Sequence, residues 1–562
     1  MEVLLFFAVM ILFLAIVFIK EAVAAKKREK QFIKSLYEDF GKIPEKEYSA
    51  ERFAHLGSFW KKHPKEGQID DITWNDLGMD EIFKRMNYTF SASGEEYLYY
   101  TLRTPKQSGE ELAHFEEAIE WFLAHRDERV KVQYLMHRLG YMGKYSIYDY
   151  IDNLDYLGKR SNLRHYLSDA LFVPFICLIP FDYALGLGAV AVLAVYNIVS
   201  YFKEKNEIDP YVTSFSYVMR LMLACDELLK IKIPVLGEEW KRMEVHRKRL
   251  EGIKRGSFWV FSGGRSAGTG NPLDLIMDYI RMTFHVDLIK FNSMLFQLKK
   301  HIEDVDALIE TAGYAETVIA AGAFRVSLEE KGVCVPELGK QETFSLEDAY
   351  YPLLTAPVKN SIKSDRGVLL TGSNASGKST FLKMAAVNAI LAQTVHSCAA
   401  SSYRAPFFHI YSSMALRDNI QGGESYYIVE IKALKRILDA AKENNSRVLC
   451  FVDEVLRGTN TVERIAASTQ ILKSLCGSRI LCFAATHDIE MTELLKDYFD
   501  NYHFEEDVSE GDLLFHYKLL PGKATTRNAI KLLEIMGYED EIIQKAKQQA
   551  EIFMQNGVWT LT

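Results

Sequence analysis

The chain has 562 residues, 48% hydrophobic and 25% charged, which is too long for one compact core and too apolar for disorder, so two or three folded domains are expected. Its 67 basic and 75 acidic residues leave a net charge of −8, which excludes a global electrostatic drive toward a polyanion. Seven scattered cysteines with no CxxC pair argue against a disulfide framework and a zinc site, and read as reduced cytosolic thiols used as small hydrophobes.

Val3 to Ile19 is apolar without a break and is followed by Lys20, Lys26, Lys27, Arg28 and Lys30. At ~1.5 Å per residue such a run nearly crosses a ~30 Å hydrocarbon core. Only Met-Glu precedes it and the basic cluster lies after it. An uncleaved anchor over 1–20 is therefore expected, rather than a signal peptide cut near Ala22-Val23-Ala24. Residues 21–165 read as helical, with Phe115, Ile119, Trp121 and Phe122 near one face of a helix. A second apolar stretch, Ala170 to Phe202, is interrupted by Pro180-Phe181-Asp182, a turn signal. Lys159, Arg160 and Arg164 precede it, and Lys203 and Lys205 follow it. Positive flanks on both sides favour a membrane hairpin over 166–204 that enters and leaves from the cytosol. Its first arm is short, which leaves a re-entrant or interfacial arm open, and a buried core hairpin is the rival reading. Helix continues from Tyr211 to Arg255 with a break at Ile233-Pro234. Gly263 to Pro272 reads as a flexible surface loop, and a long helix is expected from Pro272 to about Ala312, followed by a short β-rich stretch.

Val368 to Thr371 is a β-type run that ends on Gly372-Ser373-Asn374-Ala375-Ser376-Gly377-Lys378-Ser379-Thr380, with a helical pattern from Phe381 to Gln393 behind it. This is GxxxxGK[ST] between a strand and a helix, the context a phosphate loop requires. The glycines let backbone N–H groups close around phosphates, Lys378 would reach the outer phosphates, and Ser379 would ligate Mg²⁺. A second buried-strand pattern, Val448 to Val452, ends on Asp453-Glu454. Asp453 is placed to hold Mg²⁺ and Glu454 to deprotonate the attacking water. A third strand, Ile480 to Ala484, leads to His487, where a γ-phosphate sensor would stand.

These residues resemble the MutS-type ATPases of DNA mismatch repair, within the ABC class. Asp453 to Thr461 (DEVLRGTNT) is similar to that family's Walker B strand end and following loop, and Asp418 to Glu430 to its signature segment, a GxS turn opening a helix. Tyr517 to Gly522, Asn528 to Ile530 and Ala546-Lys547 resemble its closing segment, and Thr89 to Pro105 the start of its helical core. Tyr351 to Leu354 and Val358-Lys359-Asn360 look like the segment bracketing adenine. The resemblance implies an α/β P-loop (ABC-type) ATPase domain over 346–562, preceded by an all-α lever or core domain over 205–345 and by core-like helices from about residue 70. It also implies ATP and Mg²⁺, and a homodimer with composite sites in which Ser425 of one subunit reaches the γ-phosphate held by the other. A serine at a helix N-terminus is a fitting anion site.

The sequence departs from the family in three places. A transmembrane segment and a short helical region stand where the mismatch-reading domain would be. Pro357 occupies the place of the adenine-stacking aromatic. The DNA clamp is reduced to the loop around Gly263 to Gly270. Core-like segments on both sides of the apolar stretch must share one compartment, which again favours a hairpin there. The reading is a membrane-anchored MutS-like ATPase with its ATPase domain in the cytoplasm, whose further ligand is DNA of unusual structure. The alternative is an ATP-switched membrane scaffold that never touches DNA. The best DNA-facing candidate is the cluster Lys241, Arg242, His246, Arg247, Lys248 and Arg249, with Lys254 and Arg255; interleaved acids make a solvated helix face its rival reading.

Overall fold

The computed structural model describes residues 2–562 apart from 144, 153–156, 159, 255–259, 261–271, 374–375, 415–425, 444–445, 457–458, 478, 510–511, 525–528, 558, 560 and 562. The chain divides into two compact units. The first is Met1–His63, Asn87–Tyr100 and Glu117–Ala323; the second is Pro64–Met86, Thr101–Glu116 and Phe324–Thr562.

Helices make up the described part of the first unit. The segment that resembles a family core, Thr89 onward, packs against the long helix Ile302–Leu328. The two approach closely, because a Cβ on Gly313 would lie 2.5 Å from Tyr97 Cβ and 2.7 Å from the Ser93 carbonyl oxygen. Buried Glu316 fills the same crossing, accepting from Ser91 Oγ at 2.5 Å and from the Phe90 N–H. Around it, Arg52 pairs with Glu95 at 2.5 Å, and Lys46 donates to Asn87 Oδ1 at 3.0 Å and to the Thr89 carbonyl. Burial pushes Lys46 down to about 8 and Glu316 up to about 7, so this polar knot is held at a cost in solvation.

The apolar stretch forms a helical hairpin, Leu163–Leu178 and Tyr183–Leu228, turning at 179–182 with Asp182 capping the second arm through the Leu185 N–H at 3.0 Å. The second arm has 46 residues and runs unbroken through 204 and 205, so the boundary expected there lies inside a helix. The sequence offers no stop signal at that point that the structure honours. Of the described residues, only Tyr183–Asp209 is long and apolar enough to cross a membrane, with mean hydropathy 1.8 and 22% of its apolar window buried. The rival reading of a core hairpin does not fit that exposure: Leu171, Val173, Ile176, Phe181, Leu185, Val192 and Val199 are all exposed. The 16-residue first arm measures about 24 Å, short of a ~30 Å core, and carries Arg164, His165 and Asp169 in its first two turns. The backbone of Glu2–Glu38 is one continuous helix. The side chains of the expected anchor, 1–18, lie outside the described residues.

The long helix expected from Pro272 to Ala312 is instead three: Pro272–Phe284, Val286–Lys300 and Ile302–Leu328. His285 breaks the first joint by adopting a left-handed backbone, φ 50°. Its ring bonds His165 Nδ1 at 3.0 Å and the Asn197 carbonyl at 2.8 Å, and these contacts hold the turn in place of a glycine. The basic cluster is neutralised by acids distant in sequence. Arg247 is buried on Asp226 at 2.8 Å, Arg242 pairs with Glu310 at 2.6 Å, and His246 and Arg249 share Asp304 at 2.7 and 3.2 Å. Lys241 and Lys248 pair with Glu238 and Glu244 on their own helix. These pairings are what the solvated-face reading expects, while Lys241, Arg242, Lys248 and Arg249 stay exposed to solvent; the Lys254 side chain, Arg255 and the glycine-rich loop 261–271 lie outside the described residues.

The second unit holds two sheets. A four-stranded sheet has the order β1-β5-β2-β3, with β1 Glu337–Leu338, β2 Phe344–Ala349, β3 Asn360–Ser364 and β5 Ser402–Ala405. The six-stranded sheet runs β10-β9-β4-β8-β7-β6. Its strands are β4 Gly367–Thr371, β6 His409–Ser413, β7 Val448–Asp453, β8 Ile480–Ala485, β9 Phe499–Ser509 and β10 Asp512–Pro521. All neighbours are parallel except β9 and β10. β4 and β7 are buried throughout, the signature of central parallel strands covered on both faces. Residues 64–86 join this unit, not the helical region 21–165 expected to contain them. Asp76 accepts from Ser412 Oγ at 2.7 Å and the Met414 N–H at 2.9 Å, and Asp70 pairs with Arg436 at 2.7 Å.

Glu116 ties the unit's helical margin down, accepting from Arg325 at 2.5 and 2.7 Å and from His396 Nδ1 at 2.9 Å. Burial alone would raise its pKa, but the donors outweigh burial and hold it at about 2. A depressed carboxylate contributes stability that is present above its unfolded pKa and lost as pH falls through the folded one. Glu116→Gln should therefore cost on the order of 3 kcal/mol at pH 7, with the deficit shrinking between about pH 5 and pH 2. Denaturant unfolding of both proteins across that range measures it; a pH-independent difference would refute the ion-pair account.

Candidate functional site

The order β4-β8-β7 sets three strand ends side by side. Register pairs Leu370 with Ala485 and Ala485 with Asp453, so the chain leaving each strand enters one common space. Thr486 N–H donates to the Leu370 carbonyl at 3.0 Å and Glu454 N–H to the Ala485 carbonyl at 2.9 Å, extending the pairing past the strands. This is the carboxyl edge of a parallel sheet, where open α/β folds carry their ligands.

Gly372 leaves β4 with φ 145° and Gly377 opens the helix Lys378–Thr394 with φ 109°, backbone that a side chain resists. A Cβ on Gly372 would also meet the Phe504 carbonyl oxygen at 2.9 Å. Lys378 is buried, and its Nζ donates to the Gly372 and Ser373 carbonyls at 2.8 and 2.7 Å. Ser376 is buried, while Ser379 and Thr380 expose their residues in the first helical turn. Asn374 and Ala375 lie outside the described residues.

Asp453 ends β7 buried, and the next residues turn sharply. Glu454 and Leu456 both hold left-handed backbone, φ 56° and 61°, which costs of order 1 kcal/mol or more for each non-glycine residue. The turn is pinned from both sides: Ser468 Oγ donates to the Val455 carbonyl at 3.1 Å, and the buried Glu430 carboxylate accepts from the Leu456 N–H. His487, two residues past β8, bridges the neighbouring ends. Its Nε2 lies 2.5 Å from Glu454 Oε1 and its Nδ1 bonds the Gly372 carbonyl at 3.0 Å. Because β8 lies between β4 and β7, only a residue leaving β8 falls between the phosphate-loop glycine and the strand-end glutamate.

A cavity of about 500 Å³ opens over this edge. Its polar lining includes Ser376, Lys378, Ser379, Thr380, Glu454 and His487, and its apolar lining Tyr351, Leu354, Ala356, Val358, Phe504 and Tyr517. Pro357 is not among the lining residues, whereas Tyr351, Phe381, Phe504 and Tyr517 are. Tyr517 sits in β10 where the register shifts between Phe515 and Leu519, with φ 53°. Such a bulge re-aims a side chain, and the Tyr517 ring comes close to Gly377. Asn360 fixes the bulge: its Nδ2 donates to the Tyr517 carbonyl at 2.9 Å and its Oδ1 accepts from the Leu519 N–H at 2.8 Å.

Residues 368–554 match the family model of MutS domain V. This stretch is a MutS-type domain V. The DNA mismatch repair protein MutS of Thermus thermophilus is 32% identical over 251 residues, 44% of this chain and 30% of that protein. MutS of Lactobacillus delbrueckii subsp. bulgaricus is 28% identical over 288 residues, 49% of this chain and 33% of its own length. The DNA mismatch repair protein MutS 2 of Haloarcula marismortui is 31% identical over 220 residues, 36% of this chain and 23% of its own. The chain thus aligns with a third or less of the length of these relatives.

The structure brings together Gly372, Ser373, Ser376, Gly377, Lys378, Ser379, Thr380, Asp453, Glu454 and His487 at one sheet edge; Ser425 lies outside the described residues. Three features of the site are not apparent from the sequence: Tyr517 as a cavity wall, Asn360 as its anchor and Glu430 beneath the strained turn. Asn360 and Tyr517 lie over 150 residues apart, a pairing no local pattern carries, and Glu430 meets Leu456 only through the packing of its helix. Asn360→Ala should lower stability by about 0.5–1.5 kcal/mol, since two part-buried backbone hydrogen bonds are lost. Thermal unfolding checks this; an unchanged midpoint would mean the bulge holds itself.

Proposed function

We propose that this chain binds and hydrolyses ATP with Mg²⁺. The observation carrying this reading is His487, which joins the phosphate-loop carbonyl of Gly372 to the carboxylate of Glu454 within one cavity. A phosphate-binding loop and a base candidate within reach of one imidazole suit phosphoryl transfer to water. Lys378, whose Nζ rests on two loop carbonyls, supplies a cation to the outer phosphates. Ser379 and Asp453 offer a hydroxyl and a carboxylate, hard oxygen donors suited to Mg²⁺ completed by phosphate and water, and that ion would neutralise charge on the phosphates. Glu454 takes a proton from water as its oxygen bonds the γ-phosphorus and the bond to ADP breaks, while His487 senses the phosphate. Tyr351 and Tyr517, both in the cavity lining, offer faces for a base. The site is completed in a homodimer by the partner subunit's Ser425.

Glu454→Gln should retain ATP binding and lose at least about 100-fold in turnover. Unchanged turnover would remove Glu454 from the base role. Ser425→Ala and Lys378→Ala chains, each inactive alone, should regain turnover when mixed; no recovery would sink the composite site.

The MutS-family relatives carry DNA mismatch repair in their names, and the reading extends to DNA of unusual structure as the further ligand, handled at the cell membrane with the ATPase unit in the cytoplasm. The exposed apolar hairpin supports the membrane part. A second reading, an ATP-switched membrane scaffold that binds no DNA, draws support from the net charge of −8 and from the pairing of Arg242, Arg247 and Arg249 with acids. Flotation of the full chain with vesicles and labelled duplex or branched DNA, across a salt series, separates them. The first reading expects the chain to float and to carry DNA with a steep salt dependence. Floating without DNA at any salt favours the scaffold, and failure to float ends both membrane readings.

A further inference from the structure

The catalytic turn Asp453 to Leu456 is a place where backbone conformation sets where a side chain points. Two left-handed residues flank Val455, and the side chains of Val455 and Leu456 are sunk into the apolar core. Glu454 is thereby turned out toward His487 while its neighbours point in. Buried side chains alone do not choose this backbone, because left-handed conformers are disfavoured for both residues. A directed hydrogen bond to the backbone is needed, and the Leu456 N–H finds it in Glu430.

Glu430 is an unusual choice for that duty. It is 1% exposed, and a carboxylate so buried is retained only where its position matters. It stands in the second turn of the helix Tyr426–Glu443. That same helix packs its apolar face, Leu434 and Ile437, into the cluster that receives Val452, Val455 and Leu456. Among the described residues, helix and turn thus share this directional contact and an apolar seam.

We infer that Glu430 is the positioning residue for Glu454: its carboxylate holds the Leu456 N–H, keeps the turn in its left-handed form, and so ties the aim of the general base to the placement of the helix Tyr426–Glu443. The inference rests on the hydrolysis reading above and adds a residue to it. The need is for an acceptor at a given reach, not for a charge.

Two near-isosteric variants separate those requirements in the full chain. Glu430→Gln keeps an acceptor oxygen at the same reach; Glu430→Asp keeps the charge but withdraws it by one carbon–carbon bond, ~1.5 Å. Steady-state ATP turnover, affinity for a fluorescent ATP analogue and thermal unfolding are measured on each. Glu430→Asp should lose roughly 10- to 100-fold in kcat, as expected when a reacting group is misplaced by about 1 Å, with analogue affinity unchanged within about threefold. Glu430→Gln should keep about half of the wild-type kcat or more. The inference is overturned if Glu430→Asp turns over normally, if Glu430→Gln is as slow as Glu430→Asp, or if the loss appears as weaker nucleotide binding with kcat intact. A wild-type chain that binds the analogue without turnover would instead strike down the hydrolysis reading, and the role of Glu430 with it.

Discussion

Placing β8 between β4 and β7 is the constraint from which the chemistry of the second unit follows. Parallel strands in register deliver their following loops to one edge, and the order of the strands decides which loops are neighbours. Had β7 lain beside β4, Glu454 would approach the phosphate loop directly and His487 would face elsewhere. With β8 in the middle, the imidazole becomes the intermediary, and the glutamate is reached through it. The uninterrupted burial of β4 and β7 makes this arrangement rigid, since any slip would expose apolar side chains packed on both faces.

The strained parts of the site are held by residues remote in sequence. Asn360 on β3 steadies Tyr517, and Glu430 on a helix steadies Leu456. Both supports are backbone-directed, and both act where a non-glycine residue adopts a left-handed conformation. The first unit follows a different logic. There a glycine crossing and a knot of buried ionisable groups, Lys46, Glu95 and Glu316, bring helices closer than bulky apolar packing would allow.

Much of the catalytic edge was legible in sequence because its demands are local. Gly372 to Thr380 must be glycine-rich between a strand and a helix, Asp453-Glu454 must end a buried strand, and His487 must follow another. What could not be read depends on pairing at a distance. The basic run Lys241 to Arg249 looks available until Asp226, Asp304 and Glu310 arrive from other helices. The break at His285 carries neither glycine nor proline, and only its ring contacts with His165 and Asn197 explain it. Residues 64–86 read as helix in either unit, and it is Asp70 and Asp76 that commit them to the second. Pro357 stands where the sequence looks for an aromatic, and the bulge in β10 that brings Tyr517 to the cavity wall is set by strand pairing rather than by local sequence.

The clamp on His487 has a consequence for how movement spreads along the sheet edge. Both of its ring nitrogens face oxygen atoms, the Gly372 carbonyl on one side and the Glu454 carboxylate on the other. With a bond on each side, the imidazole cannot turn without releasing one of the two. A shift at the end of β7 is thereby felt at the end of β4, two strands away.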